Sequence, residues 1–319
     1  MCKRLPNLNE PFRKRPSDPI GERTQNSWMS GSPEAVTITL VEANGLTFEV
    51  AEAGAGDHLA LCLHGFPELN YSWRHQMPVL AKMGYRVWAP NQRGYGGSSR
   101  PTGIKNYTID QIVADAAALF DASGASRLTL IGHDWGGAIA WFFAINKLRP
   151  IERLVVMNLP HPYCMIAALR HWPQLRRSWY VAAAQIPWLP EWWLGRRDAA
   201  QIRHAFFDMA IDKSRFTPDV LDVYAAATKE PGALTAMLNW YRAAMRHHVV
   251  IANGGRVEVP VLIIWGEEDR ALGLETLDGV DRYVEDVTIR RLPDVSHWVQ
   301  QEAPEAVNEI LAAWLPRKP

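Results

Sequence analysis

Gly132-His133-Asp134-Trp135-Gly136-Gly137 holds a carboxylate in a short glycine-flanked turn between two segments of different character. Leu128-Thr129-Leu130-Ile131, just before it, is apolar and partly β-branched and predicts a buried strand. Ala138 to Lys147 carries good helix formers without a breaker and predicts a helix. Gly-x-Asp-x-Gly between strand and helix is the sharp bend that presents a nucleophile at its tip, here Asp134. A carboxylate that attacks an electrophilic carbon forms an alkyl ester, which suits ring opening or dehalogenation. A serine in its place would form an acyl ester. Taken alone, these residues equally allow an Asp that caps the following helix.

Three other segments fall after predicted strands. His64-Gly65-Phe66-Pro67-Glu68 follows Leu59 to Leu63, and a turn there can aim the backbone N–H of Phe66 at the site. The N–H of Trp135 supplies a second donor, and two such donors hold the oxyanion formed when an ester is hydrolysed. Gly266-Glu267-Glu268-Asp269 follows Val261 to Trp265 and offers acids to orient a histidine. Asp294-Val295-Ser296-His297-Trp298 follows Val287 to Leu292 and offers the histidine. The chain order nucleophile, acid, histidine makes Asp134, Asp269 and His297 a candidate catalytic set, with Glu267 and Glu268 as competing acids. His64 and His133 lie in tight turns, where backbone hydrogen bonding is expected.

These segments need a scaffold. Strand-like stretches at Val36 to Val41, Leu46 to Glu52, Leu59 to Leu63, Arg86 to Ala89, Leu128 to Ile131 and Leu154 to Met157 alternate with helical patterns. The helical patterns are Arg74 to Met83, Ile109 to Ala122 and Gly137 to Lys147. That alternation predicts an α/β fold with a mostly parallel sheet flanked by helices. The strand signal stops from about Leu159 to Gly255, a stretch of helical pieces broken by prolines, and returns at Val261 to Trp265 and Val287 to Leu292. A final helix is expected over roughly Glu305 to Trp314. The expected division is a basic N-terminal arm (1–33), a core (34–159 and 256–319) and a helical cap (160–255) roofing the strand ends.

The 319 residues allow a large core, and 34 Lys+Arg balance 34 Asp+Glu. That balance gives no electrostatic case for nucleic acid or an anionic membrane. No run is long enough to span a bilayer, and the N-terminal stretch with Arg13-Lys14-Arg15 lacks the apolar core of a secretory signal. Cys2, Cys62 and Cys164 are scattered without metal spacing, so a reducing, cytoplasmic setting without disulfides or a bound metal is expected. Five of the 14 Trp (Trp172, Trp179, Trp188, Trp192, Trp193) crowd the insertion, which suggests an aromatic-lined apolar region.

With these residues in view, the chain resembles the epoxide hydrolases of the α/β-hydrolase fold over nearly all its length after about residue 35. The resemblance rests on His64-Gly65-Phe66-Pro67-Glu68, Ser72-Trp73-Arg74-His75-Gln76, Arg93-Gly94-Tyr95-Gly96 and Gly132-His133-Asp134-Trp135-Gly136-Gly137. It favours Asp269, last in Trp265-Gly266-Glu267-Glu268-Asp269, as the acid. It also implies that two cap tyrosines donate to the epoxide oxygen: Tyr180, five residues before Gln185, and Tyr241 in Asn239-Trp240-Tyr241-Arg242. A phenol suits that task because it stays protonated at neutral pH. The implied pocket is walled by Trp135, Phe66, Pro67, Trp179 and Trp298, takes a small apolar epoxide and water, and needs no cofactor or metal. Monomer and homodimer both remain open.

Two departures stand out. Asn91 replaces the Asp common in relatives, and Ala182-Ala183-Ala184 replaces bulkier residues, which predicts a pocket tolerant of large epoxides. Rival functions are a haloalkane or haloacid dehalogenase using the same nucleophile and a non-enzymatic ligand receptor. Phe66 stands where haloalkane dehalogenases usually have Asn. Trp135 and Tyr180 stand where fluoroacetate dehalogenases have Arg and Trp. A receptor would tolerate loss of nucleophile or base, and both are present.

Overall fold

His58–Leu63 and Val261–Gly266 are buried along their whole lengths, so each needs apolar cover on both faces. The computed structural model, which describes residues 36–316, supplies that cover with helices on either side of one sheet. In chain order the core elements are β1 (Thr37–Ala43), β2 (Leu46–Ala53), β3 (His58–Leu63), α1 (Met77–Lys82), β4 (Arg86–Pro90), α2 (Ile109–Ser123), β5 (Arg127–His133), α3 (Trp135–Ile145) and β6 (Arg153–Met157). A helical insertion follows: α4 (Pro162–Ala168), α5 (Trp172–Arg177), α6 (Trp179–Ala183), α7 (Leu189–Met209), α8 (Pro218–Thr228) and α9 (Ala233–Arg246). The core closes with β7 (Val261–Gly266), β8 (Val287–Leu292), α10 (Val299–Glu302) and α11 (Pro304–Trp314).

The eight strands run in the order β1-β2-β4-β3-β5-β6-β7-β8, with only the β1–β2 and β2–β4 pairings antiparallel. This is the α/β-hydrolase fold expected from the alternation of elements. Leu59, Leu61, Leu63, Val261 and Ile263 pack on one side with α2 and α3. Ala60, Cys62, Leu262 and Ile264 pack on the other with Met77, Leu80, Val307 and Leu311. The chain leaves β3 for β4, then returns past β3 to form β5. The loops after β3 and β5 therefore diverge at the point where the strand order reverses, the usual place for a ligand.

Expected strand limits differ from the observed ones by a residue or two. The helix expected from Arg74 begins at Met77, because Asn70–Trp73 forms its own 3-10 turn and Pro78 opens the α-helix. Pro162, Pro173, Pro190 and Pro218 lie in the first turns of α4, α5, α7 and α8, so they start helices where the sequence suggested breaks. The one long helix of the insertion, α7, is interrupted at Arg196–Ala199, where the backbone leaves helical geometry.

Cys62 and Cys164 are free and buried. Cys2, Arg13-Lys14-Arg15 and the expected arm lie outside the described residues. No helix among the described residues is long and apolar enough to cross a membrane.

Candidate active site

Asp134 directly follows β5 with φ 49° and ψ −121°, a backbone conformation that costs a non-glycine residue about 1–3 kcal/mol. Its neighbours explain how so sharp a bend fits. A Cβ on Gly132 would lie 2.2 Å from the Gly136 carbonyl oxygen, and one on Gly136 would lie 2.0 Å from that of Leu63. Only hydrogen fits at either place. Although Asp134 sits at the start of α3, its side chain makes no capping hydrogen bond among the described residues. Oδ1 instead accepts the backbone N–H of Phe66 at 2.8 Å. Gly65 permits that approach, since a Cβ there would stand 2.4 Å from Cβ of Asp134. Trp135 is the first residue of α3, so its N–H has no partner within the helix.

His297 Nε2 lies 3.7 Å from Oδ2 of Asp134, and Nδ1 lies 2.7 Å from Oδ2 of Asp269. Asp269 is itself pinned. Its Oδ1 accepts the N–H groups of Ala271 and Leu272 at 2.7 and 2.9 Å, and its Oδ2 accepts Nδ2 of Asn158 at 2.8 Å. Asn158 closes the arrangement by accepting the Gly266 N–H at 2.9 Å. Of the competing acids, Glu267 pairs with Arg291 at 2.8 Å and Glu268 is exposed. Burial opposes charge on His297, but the carboxylates of Asp269 and Asp134 outweigh it and push the imidazole up to about 10. Burial likewise opposes charge on Asp269, yet His297, Asn158 and Leu272 hold its carboxyl below the usual value.

The insertion brings Tyr180 of α6 and Tyr241 of α9 over this carboxylate. The Tyr241 ring meets those of Phe66, Trp135 and Tyr180 edge-on, with centroids 5.3, 5.1 and 5.9 Å away. Burial and the nearby Asp134 charge raise both phenols above their usual value, so both hold their protons. The tyrosine segments are tied together: Gln185 donates to the Tyr241 carbonyl at 3.0 Å, and Arg242 donates to those of Ala184 and Ile186. Trp240 donates to the Arg93 carbonyl at 3.3 Å and so anchors α9 to the core. Pro67 is buried beside Phe66, and Trp298 is buried with its ring against His297.

Trp179 departs from expectation. It is 63% exposed, because Tyr180 takes the inward position on α6 and leaves its neighbour on the outer side. The three alanines also differ: Ala184 packs with Leu238 and Tyr241, Ala183 is half-buried and Ala182 is exposed. Of the three, only Ala184 is buried against Tyr241.

The α/β hydrolase fold family matches residues 61–304. The AB hydrolase superfamily protein YfhM of Bacillus subtilis is 38% identical over 284 residues, covering 88% of this chain and 99% of its own. Epoxide hydrolase 4 of Homo sapiens is 36% identical over 287 residues, covering 86% and 77%. A crystal structure of Bacillus megaterium epoxide hydrolase with an inhibitor superposes with a TM-score of 0.81 at 30% identity, covering 87% of this chain and 99% of that one. The chain belongs to the epoxide hydrolase family.

Against that family pattern, Asn91 has a local cause. Its Oδ1 accepts the Asn70 N–H at 2.8 Å while its Nδ2 donates to Glu49 at 2.7 Å. An aspartate would set two carboxylates together.

Sequence reasoning missed two residues of this epoxide hydrolase fold that hold the site. One is Asn158, whose position at the end of β6 was the available clue. The other is Glu68. Fully buried, it accepts the Gly65 N–H at 2.8 Å, both glutamines Gln300 and Gln301 at 2.8 and 2.7 Å, and His133 Nδ1 at 2.6 Å. His133 Nε2 in turn faces the His297 carbonyl at 2.8 Å. His133 therefore links Glu68 to the segment that carries His297. Burial disfavours charge on Glu68, but His133 and the Gly65 N–H prevail and hold its carboxyl at about 2. His64 differs: Nδ1 meets the Gly65 carbonyl and Nε2 accepts the Gln92 N–H, which suits a neutral ring, and burial brings it down to about 4.

Proposed function

We propose that the protein opens epoxides to vicinal diols through an ester on Asp134. The observation that carries this reading is the pair of protonated phenols, Tyr180 and Tyr241, gathered over a carboxylate that also faces a histidine. Ring opening releases an alkoxide, and two phenol donors stabilise that charge as it develops. A departing halide has no need of a proton.

In the first step Oδ2 of Asp134 attacks an epoxide carbon, the carbon–oxygen bond breaks, and the phenols donate to the oxygen. Oδ1, already bonded to the Phe66 N–H, becomes the ester carbonyl oxygen. Esterification removes the Asp134 charge and with it part of what keeps His297 protonated, so the imidazolium releases its proton, through solvent, to the new alkoxide and becomes a neutral ring. The imidazole, oriented by Asp269, then takes a proton from water as that water attacks the ester carbon. The N–H groups of Phe66 and Trp135 hold the oxyanion, and its collapse releases the diol and restores the carboxylate.

A single turnover with excess enzyme and a styrene-type epoxide in oxygen-18 water tests this cycle. The expected result is label in Asp134 and an unlabelled diol, because the new oxygen of the diol comes from the carboxylate. Label in the first diol would mean direct attack by water and would overturn the ester. Halide release from a haloalkane without any diol would assign the site to dehalogenation.

A further inference from the structure

The helices that roof the site carry an apolar surface on the outside. Trp172 and Leu175 of α5, Trp179 of α6 and Ile186 just beyond α6 are all exposed, while the polar Gln174 is the buried side chain of α5. Gln174 bonds the Ala271 carbonyl and the Gly273 N–H, so this face cannot be turned inward without breaking those bonds. Trp188 and Trp192, in the next segment of the insertion, are also exposed, at 73% and 57%. These segments belong to one roof: Tyr180, Val181 and Leu194 pack together beneath it against Phe66 and Trp135.

The same stretch is basic. Arg170, Arg176, Arg196 and Arg197 form no ion pair among the described residues, and the Arg196 guanidinium lies 5.2 Å from the centre of the Trp192 ring. The only acid between residues 162 and 197 is Glu191, which Arg242 occupies. The neighbouring Asp198 is taken by Arg203 and Lys229. The zero net charge of the whole chain conceals this local excess.

We propose that this face docks on a lipid surface carrying anionic headgroups, with the tryptophans seated at headgroup level and the arginines against phosphate. Tryptophan favours the boundary between water and hydrocarbon, and basic side chains beside it add attraction to anionic lipid. The charge disfavours other occupants. A second copy presenting the same face would set arginines against arginines. Residues 1–35, with six Lys/Arg against four Asp/Glu, are also net basic. The use of such docking, to pass an apolar epoxide from the lipid to the roofed site, rests on the proposed activity; the docking itself does not.

The test mixes the full chain with phosphatidylcholine vesicles, with and without phosphatidylglycerol, and reads co-sedimentation and tryptophan emission. Binding should rise with phosphatidylglycerol and fall at high salt. A variant with Trp172→Ser, Trp188→Ser and Trp192→Ser should bind at least tenfold more weakly, with an unchanged far-ultraviolet spectrum. Arg170→Glu with Arg176→Glu should remove the dependence on phosphatidylglycerol. No binding to either vesicle at low salt, or equal binding by the tryptophan variant, overturns the proposal. So does a dimer of the wild type that the tryptophan variant dissolves without any vesicle binding, which would make the face a contact between copies. Vesicle binding without diol formation would uphold the docking and remove the proposed activity.

Discussion

The backbone N–H of Phe66 donates to Oδ1 of Asp134, while His297 stands on the side of Oδ2. The two oxygens of one carboxylate therefore have different surroundings before any substrate arrives. In the proposed reaction one becomes the ester carbonyl and the other the attacking atom, with little rearrangement between them.

Removing either phenol hydroxyl should slow ring opening while leaving ester hydrolysis intact. Tyr180→Phe and Tyr241→Phe are each expected to lower the single-turnover alkylation rate by about 10²-fold, the usual cost of one charge-stabilising donor. Rapid-quench kinetics on a styrene-type epoxide would show this. Unchanged alkylation in both variants would remove the phenols from the mechanism.

His297→Asn should separate the two steps. The ester should form and persist, visible as enzyme heavier by one epoxide in intact mass spectra, while diol release falls by roughly 10²–10⁴-fold, the range for loss of a general base. Rapid diol release without adduct would assign the base elsewhere.

The protonation of His297 should follow the charge on Asp134. Both carboxylates favour the imidazolium, so Asp134→Asn, which imitates the neutral ester, should lower the His297 pKa measured by NMR from its value of about 10. Because the folded value lies above the ordinary 6.5, the ion pairs contribute fully to stability below pH 6.5 and are lost as pH rises through about 10. The difference in melting temperature between wild type and His297→Asn should narrow over that window.

Glu68 has the opposite sign. Its folded value of about 2 lies below the ordinary 4.5, so its contribution is present above 4.5 and is lost as pH falls through about 2. Glu68→Gln should cost about 1–3 kcal/mol in urea unfolding at pH 7, because an amide cannot accept from all four partners gathered on the carboxylate. A loss well below about 1 kcal/mol would show that these partners re-pair around the amide.

Pocket size should respond to one alanine of three. Ala184→Leu is expected to raise KM for epoxides with large substituents more than for small terminal ones, while Ala182→Leu, on the exposed side, should change neither. Similar effects from both would mean that the segment acts through its backbone.

Much of the site was legible because each part follows a strand, and strand ends are marked by abrupt changes in residue type. Strand ends point to Asp134, His297 and an acid in Glu267-Glu268-Asp269, the resemblance picks Asp269 from those, and the fold brings the three together. The orientation of short helices was not legible: α6 offers Trp179 and Tyr180 side by side, and which one faces inward depends on how the insertion is tied down by Gln185 and Arg242. The same ambiguity made a cluster of tryptophans resemble a lining when most of it faces outward. Glu68 escaped notice because its partners, at positions 65, 133, 300 and 301, come together only in the folded chain. The proline-rich insertion reads as helical, but its helix limits do not, because a proline that opens a helix and one that ends it look alike in sequence.

That gathering of distant partners by Glu68 bears on how the protein is made. A chain leaving the ribosome exposes β3 and its following turn early, but Gln300 and Gln301 follow Glu68 by 232 and 233 residues. Until they arrive, the carboxylate beneath the elbow lacks two of its donors, and the segment that carries His297 has only just been synthesised. The candidate centre is thus assembled only after the whole helical insertion has been made, so a chain interrupted before β8 holds Asp134 without the histidine proposed to act on its ester.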